Sequence, residues 1–325
     1  MNKWIAVLAC SLALAAGARA AEPADAWPSR PVTVIAPYGP GGTTDLVARM
    51  IAKKITEATG QPVVVENRSG VGGVLGTSAF VRGRNDGYTL LVSNLAPHVI
   101  ATVMRQKPPY DPVKDFAPIA MVSEADEFLA VNASLPVHSV KELIEYARAH
   151  PGTLNYGSPG IGSFGHFASE LFAMQAGISM EHIPYDSKGS MGALNDFLGG
   201  NLQVLIDPAI VPVRKDPRVR LLATSNVDRF PGTPDVPTLR ESGLPDYVVT
   251  GWFGLFGPPD MPRAVVDKLA GIVQQASGDA QWRQYLLNLG LTPVFLGPDD
   301  YAKRLAVDLE KFRRIKAEAR IPYVD

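Results

Sequence analysis

The chain has 325 residues, 46% of them apolar, and carries 31 Lys and Arg against 32 Asp and Glu for a formal net charge of -1. With no basic run in that near-neutral balance, nucleic acid and an anionic membrane surface are excluded as expected partners. A single cysteine, Cys10, excludes a disulfide framework, and the length suffices for two domains held together by buried apolar surface.

Residues 1–20 carry the marks of a secretory signal: Lys3, an apolar run from Ile5 to Ala16, and Ala18-Arg19-Ala20 as a small-x-small cleavage site. The run falls well short of the roughly 20 residues that span a bilayer. Cleavage is therefore expected near Ala20, leaving a cysteine-free periplasmic chain that starts near Ala21 and has no membrane anchor.

From there strands and helices alternate. Strand Val32–Ala36 meets the glycine-rich turn Pro37-Tyr38-Gly39-Pro40-Gly41-Gly42 and then a helix over Thr44–Thr59, whose Val47, Met50, Ile51 and Ile55 recur about once per turn and whose stop is Gly60. Strand Val63–Glu66, turn Ser69–Gly73, a helix to Arg82 and strand Thr89–Ser93 complete a βαβαβ pattern of parallel type. After Phe116–Val122 come strand Phe128–Asn132 and a helix from Val140 to His150, with Ser139 and Glu142 as a capping box. Strand Asn155–Ser158 runs into a second glycine-rich turn, Pro159–Gly165, and a helix with Phe164, Phe167, Ala168 and Leu171 on its apolar face. Strand His182–Pro184, helix Ser190–Gly199 and strands Leu202–Ile206 and Arg220–Ala223 follow. Beyond the proline-rich Phe230–Pro237 lie strand Val248–Phe256 and helices Arg263–Ser277, Ala280–Leu289 and Pro298–Ala319.

The pattern predicts an α/β fold of two lobes, each a mainly parallel sheet flanked by helices. Residues 21–125 and 231–325 are expected in lobe 1 and residues 126–230 in lobe 2, so that the chain crosses twice at a hinge. Ligands of open α/β sheets sit at the carboxyl ends of the strands, which places the glycine-rich turns around an interlobe cleft. Helix N-termini with bare amides suit an anion.

Gly160–Gly165 fits G-x-G-x-x-G, with Glu181 near the place of a ribose-binding acid, so both a dinucleotide and a carboxylate are compatible with the turn; an exported setting favours the carboxylate. A nucleophile elbow needs glycine where Ile161 stands, and no glycine run ends in the G-K-[ST] of a phosphate loop. His98, His138, His150, His166 and His182 lie 12 or more positions apart, so no metal and no cofactor is expected. His166 reads as a structural or edge-of-cleft residue. Asp45, in the first turn of its helix, is expected to brace the loop by hydrogen bonds, while Asp207 either faces the cleft or caps the segment beginning at Pro208. Trp252 and Phe253 are expected in the core, and Tyr38 in the cleft.

The succession Trp27-Pro28-x-x-Pro31, Pro37-Tyr38-x-Pro40-Gly41-Gly42-x-x-Asp45, Pro62-Val63-Val64-Val65-Glu66-Asn67-Arg68-x-Gly70-x-Gly72-Gly73 and Asp86-Gly87-Tyr88-Thr89-Leu90-Leu91 resembles the Bug-type substrate-binding receptors of tripartite tricarboxylate transporters. The likeness continues in order through Tyr110-Asp111-Pro112, Tyr156-Gly157-Ser158-x-Gly160-x-Gly162-Ser163, His182-x-Pro184-Tyr185 and Pro234-Asp235-Val236-Pro237-Thr238. It implies the periplasmic-binding-protein (Venus flytrap) fold and a receptor whose lobes close on a small carboxylate: a di- or tricarboxylate, an aromatic carboxylate or an acidic amino acid. Carried onto this chain, the grip falls on Tyr38, Gly41, Gly42, Thr43 and Thr44, and on Ser69, Gly70 and Gly72, with Ser93 closing the same lobe. The opposing lobe offers Ser158, Gly162, Ser163, Tyr185, Lys188 and Asp207. Implied partners are inner-membrane permease subunits or a sensor protein, and a monomer is expected. Tyr38 departs from the phenylalanine common there, and the path through Asp186–Ser190 is longer than usual; Lys188 within it either meets a second ligand carboxylate or is simply exposed. With no local nucleophile–base motif an enzyme is not expected, the alternative being an exported lyase on the same fold.

Overall fold

The computed structural model describes residues 26–83, 86–185 and 189–324. The expected signal at residues 1–20 and Lys188 both lie outside the described residues.

Strand β1 (Val32–Ala36) is buried at four of its five positions and pairs in parallel with β2 (Val63–Asn67) on one side and β3 (Thr89–Asn94) on the other. Between β1 and β2 runs α1 (Thr43–Thr59), whose Val47, Ala48, Ile51 and Ile55 are buried against Val34, Leu90, Val266 and Leu269. Each such aliphatic side chain removed from water stabilises by about 1.5–3 kcal/mol. Gly60 ends α1 in the left-handed region at φ +72°, its amide donating to the Thr56 carbonyl. Helix α2 (Val74–Val81) connects β2 to β3, and a π-helical turn, Ala96–Ile100, runs on into α3 (Ala101–Val103).

Strand β4 (Ala117–Asp126) is followed, with only Glu127 between, by β5 (Phe128–Asn132), which belongs to a different sheet. That second sheet is built from β5, β6 (Asn155–Ser158), β7 (Glu181–Pro184), β8 (Val204–Ile206) and β9 (Val219–Thr224), in the order β7-β6-β8-β5-β9. Its helices are α4 (Val140–Ala149), α5 (Phe164–Ala176), α6 (Gly189–Leu198) and the short α7 (Ile210–Val213). In α4 the cap is shifted by one residue from a reciprocal box. Ser139 Oγ accepts the Glu142 amide, while the Glu142 carboxylate reaches back to the amide of His138.

The chain then returns. Strand β10 (Thr250–Gly257), buried at all eight positions, inserts between β3 and β4 and is antiparallel to both. After α8 (Arg263–Ser277) and α9 (Ala280–Asn288), β11 (Leu291–Leu296) adds to the outer edge of β4, giving the order β11-β4-β10-β3-β1-β2, and α10 (Pro298–Glu318) ends the chain. Both sheets are thus mixed: β1 to β4 share one direction against β10 and β11, and in the second sheet β5 alone opposes β6 to β9. The two-lobed α/β fold is as expected from the sequence, with these antiparallel returns as the difference.

Two covalent crossings join the lobes and are laced to each other. The Glu127 amide donates to Ser225 Oγ at 2.8 Å, the Ser225 amide to the Glu127 carbonyl at 3.0 Å, and the Val249 amide to the Ser225 carbonyl at 3.1 Å. Asn226 Nδ2 bridges Glu124 and Asp126. Apolar packing continues across the junction, where Phe167 of α5 meets Phe312 of α10 edge-on, ring centres 5.3 Å apart.

Candidate functional site

Three strand ends of the first sheet converge on the start of α1. Its first amides have no intrahelical acceptor, and Gly42, in extended geometry before the helix, has no side chain to cap them. Gly41 turns the chain through φ +83°. Its own amide is engaged, donating to Asp45 Oδ2 at 2.9 Å. Asp45, almost fully buried, also accepts from Arg49 Nε at 3.0 Å and Asn67 Nδ2 at 2.9 Å. Burial alone would raise its pKa, but the bonds from Arg49, Gly41 and Asn67 outweigh that and hold the carboxyl below its ordinary value. Asp45 thus braces the loop and turns its charge inward. Gly42, Thr43 and the bare helix end remain toward solvent, whereas Thr44 is buried and its hydroxyl accepts from Asn94 Nδ2 at 3.1 Å.

The turn after β2 holds four successive residues at positive φ: Gly70 (+142°), Val71 (+48°), Gly72 (+61°) and Gly73 (+92°). A Cβ on Gly73 would come within 3.1 Å of both Pro97 and the Tyr38 ring, so only glycine lets these segments meet. Tyr38 ties the two loops together: its hydroxyl donates to the Gly72 carbonyl at 2.9 Å and its carbonyl accepts from Asn67 at 3.0 Å. Burial pushes its phenol up to about 12, partly offset by Asn94. Ser69 is exposed; Ser93 is wholly buried, its hydroxyl 3.5 Å from the Asn94 carbonyl.

In the second lobe the side chains of the expected site residues bond to other groups of the same lobe. Ser158 is fully buried, its Oγ 2.7 Å from His182 Nε2 and 3.1 Å from the Gly160 amide. The Gly162 amide donates to His166 Nδ1 at 3.0 Å, and Ser163 caps α5 by accepting the His166 amide at 3.3 Å. His166 and His182 stack with centres 4.0 Å apart, and the Tyr156 ring lies 4.8 Å from His182 and 6.4 Å from His166. Burial, then the neighbouring His182, pull the His166 pKa down to about 3. Tyr185 Oη donates to Asp196 at 2.5 Å, directed back onto α6. Asp207 is buried and accepts from Ser190 Oγ and the Ala209 amide, each at 2.7 Å, so of its two expected roles the structure displays the cap. The histidine pair had no signal in the sequence, because its members are 16 positions apart on α5 and β7.

The lobes approach at these loops: a Cβ on Gly162 would lie 2.8 Å from the Met104 side chain of the first lobe. Two open surface hollows, one lined by Lys54, Glu57 and Gln275 and the other by Tyr110, Asp111 and Arg313, share no residue with them. No helix among the described residues is long and apolar enough to cross a membrane.

The model of the tripartite tricarboxylate transporter family receptors matches residues 47–320. BugT of Bordetella pertussis is 34% identical over 321 residues, covering 98% of each chain. Among solved structures, R. palustris Rpa4515 with adipate is similar with a TM-score of 0.79 at 34% identity, covering 91% of this chain and 99% of that one. MatC from Rhodopseudomonas palustris with bound malate gives 0.72 at 30% identity, covering 89% and 99%. The matched family is one of receptors, and the two solved relatives hold carboxylates, adipate and malate. A family match over most of the chain, joined to the shared two-lobed architecture, leads to one conclusion: the chain belongs to the tripartite tricarboxylate transporter family receptors, the periplasmic Bug-type solute-binding proteins.

Proposed function

We propose that the protein captures a small carboxylate in the periplasm and closes its lobes on it, for handover to the permease subunits of a tripartite transporter or for presentation to a sensor. The observation that carries this is the start of α1. Its amides have no capping side chain, its dipole places about half a positive charge there, and the nearby carboxylate of Asp45 is bound away on Gly41, Arg49 and Asn67. Adipate in Rpa4515 and malate in MatC support the same class of ligand here. The lobes are assigned as residues 21–125 with 231–325 and residues 126–230, hinged at Glu127 and Ser225, in a monomer.

The test is Gly42→Val. A Cβ on Gly42 would touch only the Gly39 carbonyl at an ordinary 3.5 Å, so the fold should tolerate it while a ligand on the loop should not. In a thermal-shift screen of di-, tri- and aromatic carboxylates, a ligand at 100 times its dissociation constant stabilises by about 2.7 kcal/mol. That shift is expected in the wild type and lost in the variant; an unchanged shift would remove the loop from the site. The ligand should be recovered chemically intact, and accumulation of a product would favour the lyase.

A further inference from the structure

The two lobes offer a ligand different surfaces. In the first lobe the start of α1 leaves amides open. In the second, the loop between β6 and α5 has turned its polar groups inward: the Gly160 amide onto Ser158, the Gly162 amide onto His166 and the Ser163 amide onto the Gly160 carbonyl. The hydroxyls of Ser158, Tyr185 and Ser190 are likewise engaged with His182, Asp196 and Asp207. What that loop presents outward is Ile161, 41% exposed, and in the same lobe the first turn of α6 presents Met191, 59% exposed. In the first lobe, the turn after β2 carries Val71, 61% exposed and held at φ +48°, a conformation costly for a β-branched residue.

Charge points the same way. Arg49 and Arg68, the arginines flanking the first-lobe loops, are paired with Asp45 and Glu66. Across residues 37–44, 69–73, 159–163 and 185–191 the sequence has one cation, Lys188. A compact hydroxy-di- or tricarboxylate would need several polar partners from both lobes, and buried polar groups left unpaired are penalised.

We infer that the ligand is a carboxylate with an extended apolar body, held end-on. Its carboxylate sits at the start of α1, and its hydrocarbon part lies against Val71, Ile161 and Met191. The inference rests on the carboxylate-receptor function proposed above and narrows it to one class of ligand.

Calorimetry on the full mature chain tests it, with butanoate, hexanoate, octanoate and phenylacetate set against malate and citrate. If the body is buried, affinity rises about fourfold per added methylene, equivalent to about 0.8 kcal/mol, and hexanoate exceeds malate and citrate. Ile161→Ser, Met191→Gln and Val71→Asn, the last tolerant of positive φ, should flatten that dependence, lowering octanoate affinity several-fold more than butanoate affinity. Tighter binding of malate or citrate than of any apolar carboxylate would overturn the inference and leave the receptor function standing. A uniform loss across all ligands in the variants would also overturn it, marking the three side chains as contacts between closing lobes. Binding of no carboxylate at all would overturn both proposals.

Discussion

His166 accepts the Gly162 amide on Nδ1 at 3.0 Å while its ring stacks on His182, so one neutral imidazole holds the glycine-rich loop of the second lobe to its helix. Glu170, 3.9 Å from its Nε2, is the nearest carboxylate. Folded, the ring titrates at about 3, whereas an unfolded histidine titrates near 6.5. Between those values the unfolded chain binds the extra proton, so stability rises with pH across that window and is lost as pH falls through it. His166→Asn, whose amide oxygen can replace Nδ1 as acceptor, should flatten this slope. Urea unfolding at intervals from pH 4 to pH 7 checks it; equal slopes for both proteins would exclude His166 as the source.

Asp45 gathers the Gly41 amide, Arg49 and Asn67 on one buried carboxylate. Replacing it by alanine leaves those donors without their acceptor, and the expected loss is about 1–3 kcal/mol at neutral pH. Because its folded pKa is depressed, the contribution is present above the ordinary aspartate value and disappears as pH falls below it. The gap between wild type and Asp45→Ala in urea should therefore close on acidification. A gap independent of pH would mean that packing, and not charge, sets the loss.

Asp126 has the opposite sign. Burial, partly offset by the bond from Asn226 and reinforced by the charge of Glu124, raises its carboxyl from 3.8 to about 6. The folded chain holds the proton more tightly between those values, so the wild type loses stability as pH rises through them. Asp126→Asn should match the wild type near pH 4 and exceed it in melting temperature at pH 7.5. A variant less stable at both pH values would contradict this account.

Tyr38→Phe removes the hydroxyl that joins the first two loops through Gly72. The expected cost is about 0.5–1.5 kcal/mol of stability, with ligand affinity reduced less than by Gly42→Val. Melting temperature and calorimetric affinity measured on the same preparations separate the two effects. A greater loss of affinity than in Gly42→Val would move the phenol itself into contact with the ligand.

Where periodicity and caps speak clearly, the fold could be read from the sequence. Strands β1, β5 and β6 and helix α8 fall where the pattern of Val32–Ala36, Phe128–Asn132, Asn155–Ser158 and Arg263–Ser277 puts them. Strand β11 escaped because Pro293 interrupts a six-residue run, and proline argues against a strand except at a sheet edge, which is where β11 lies. The π-helical turn was hidden for a related reason: Pro97 falls in its first residues, and five residues carry no periodicity. For the candidate site, the sequence marks the glycine-rich turns at the strand ends but not the direction of their polar groups. Whether Gly41 and Gly162 offer an amide outward or donate it to Asp45 and His166 depends on partners four positions away along a helix, whose side-chain directions are set only by packing.

The insertion of β10 between β3 and β4 also has a consequence for the order in which the protein assembles. The strands of the second sheet are drawn from one continuous stretch, Phe128 to Thr224, and later residues add a bridge at Thr238 to its edge and the packing of Phe312 on α5. The first sheet has its centre missing until residues 250–257 arrive, so during synthesis from the N-terminus β3 and β4 each present an unpaired edge until then. The strands of the later-encoded lobe can therefore pair first, and the first lobe, although it leads the chain, is completed only when the tail returns to it.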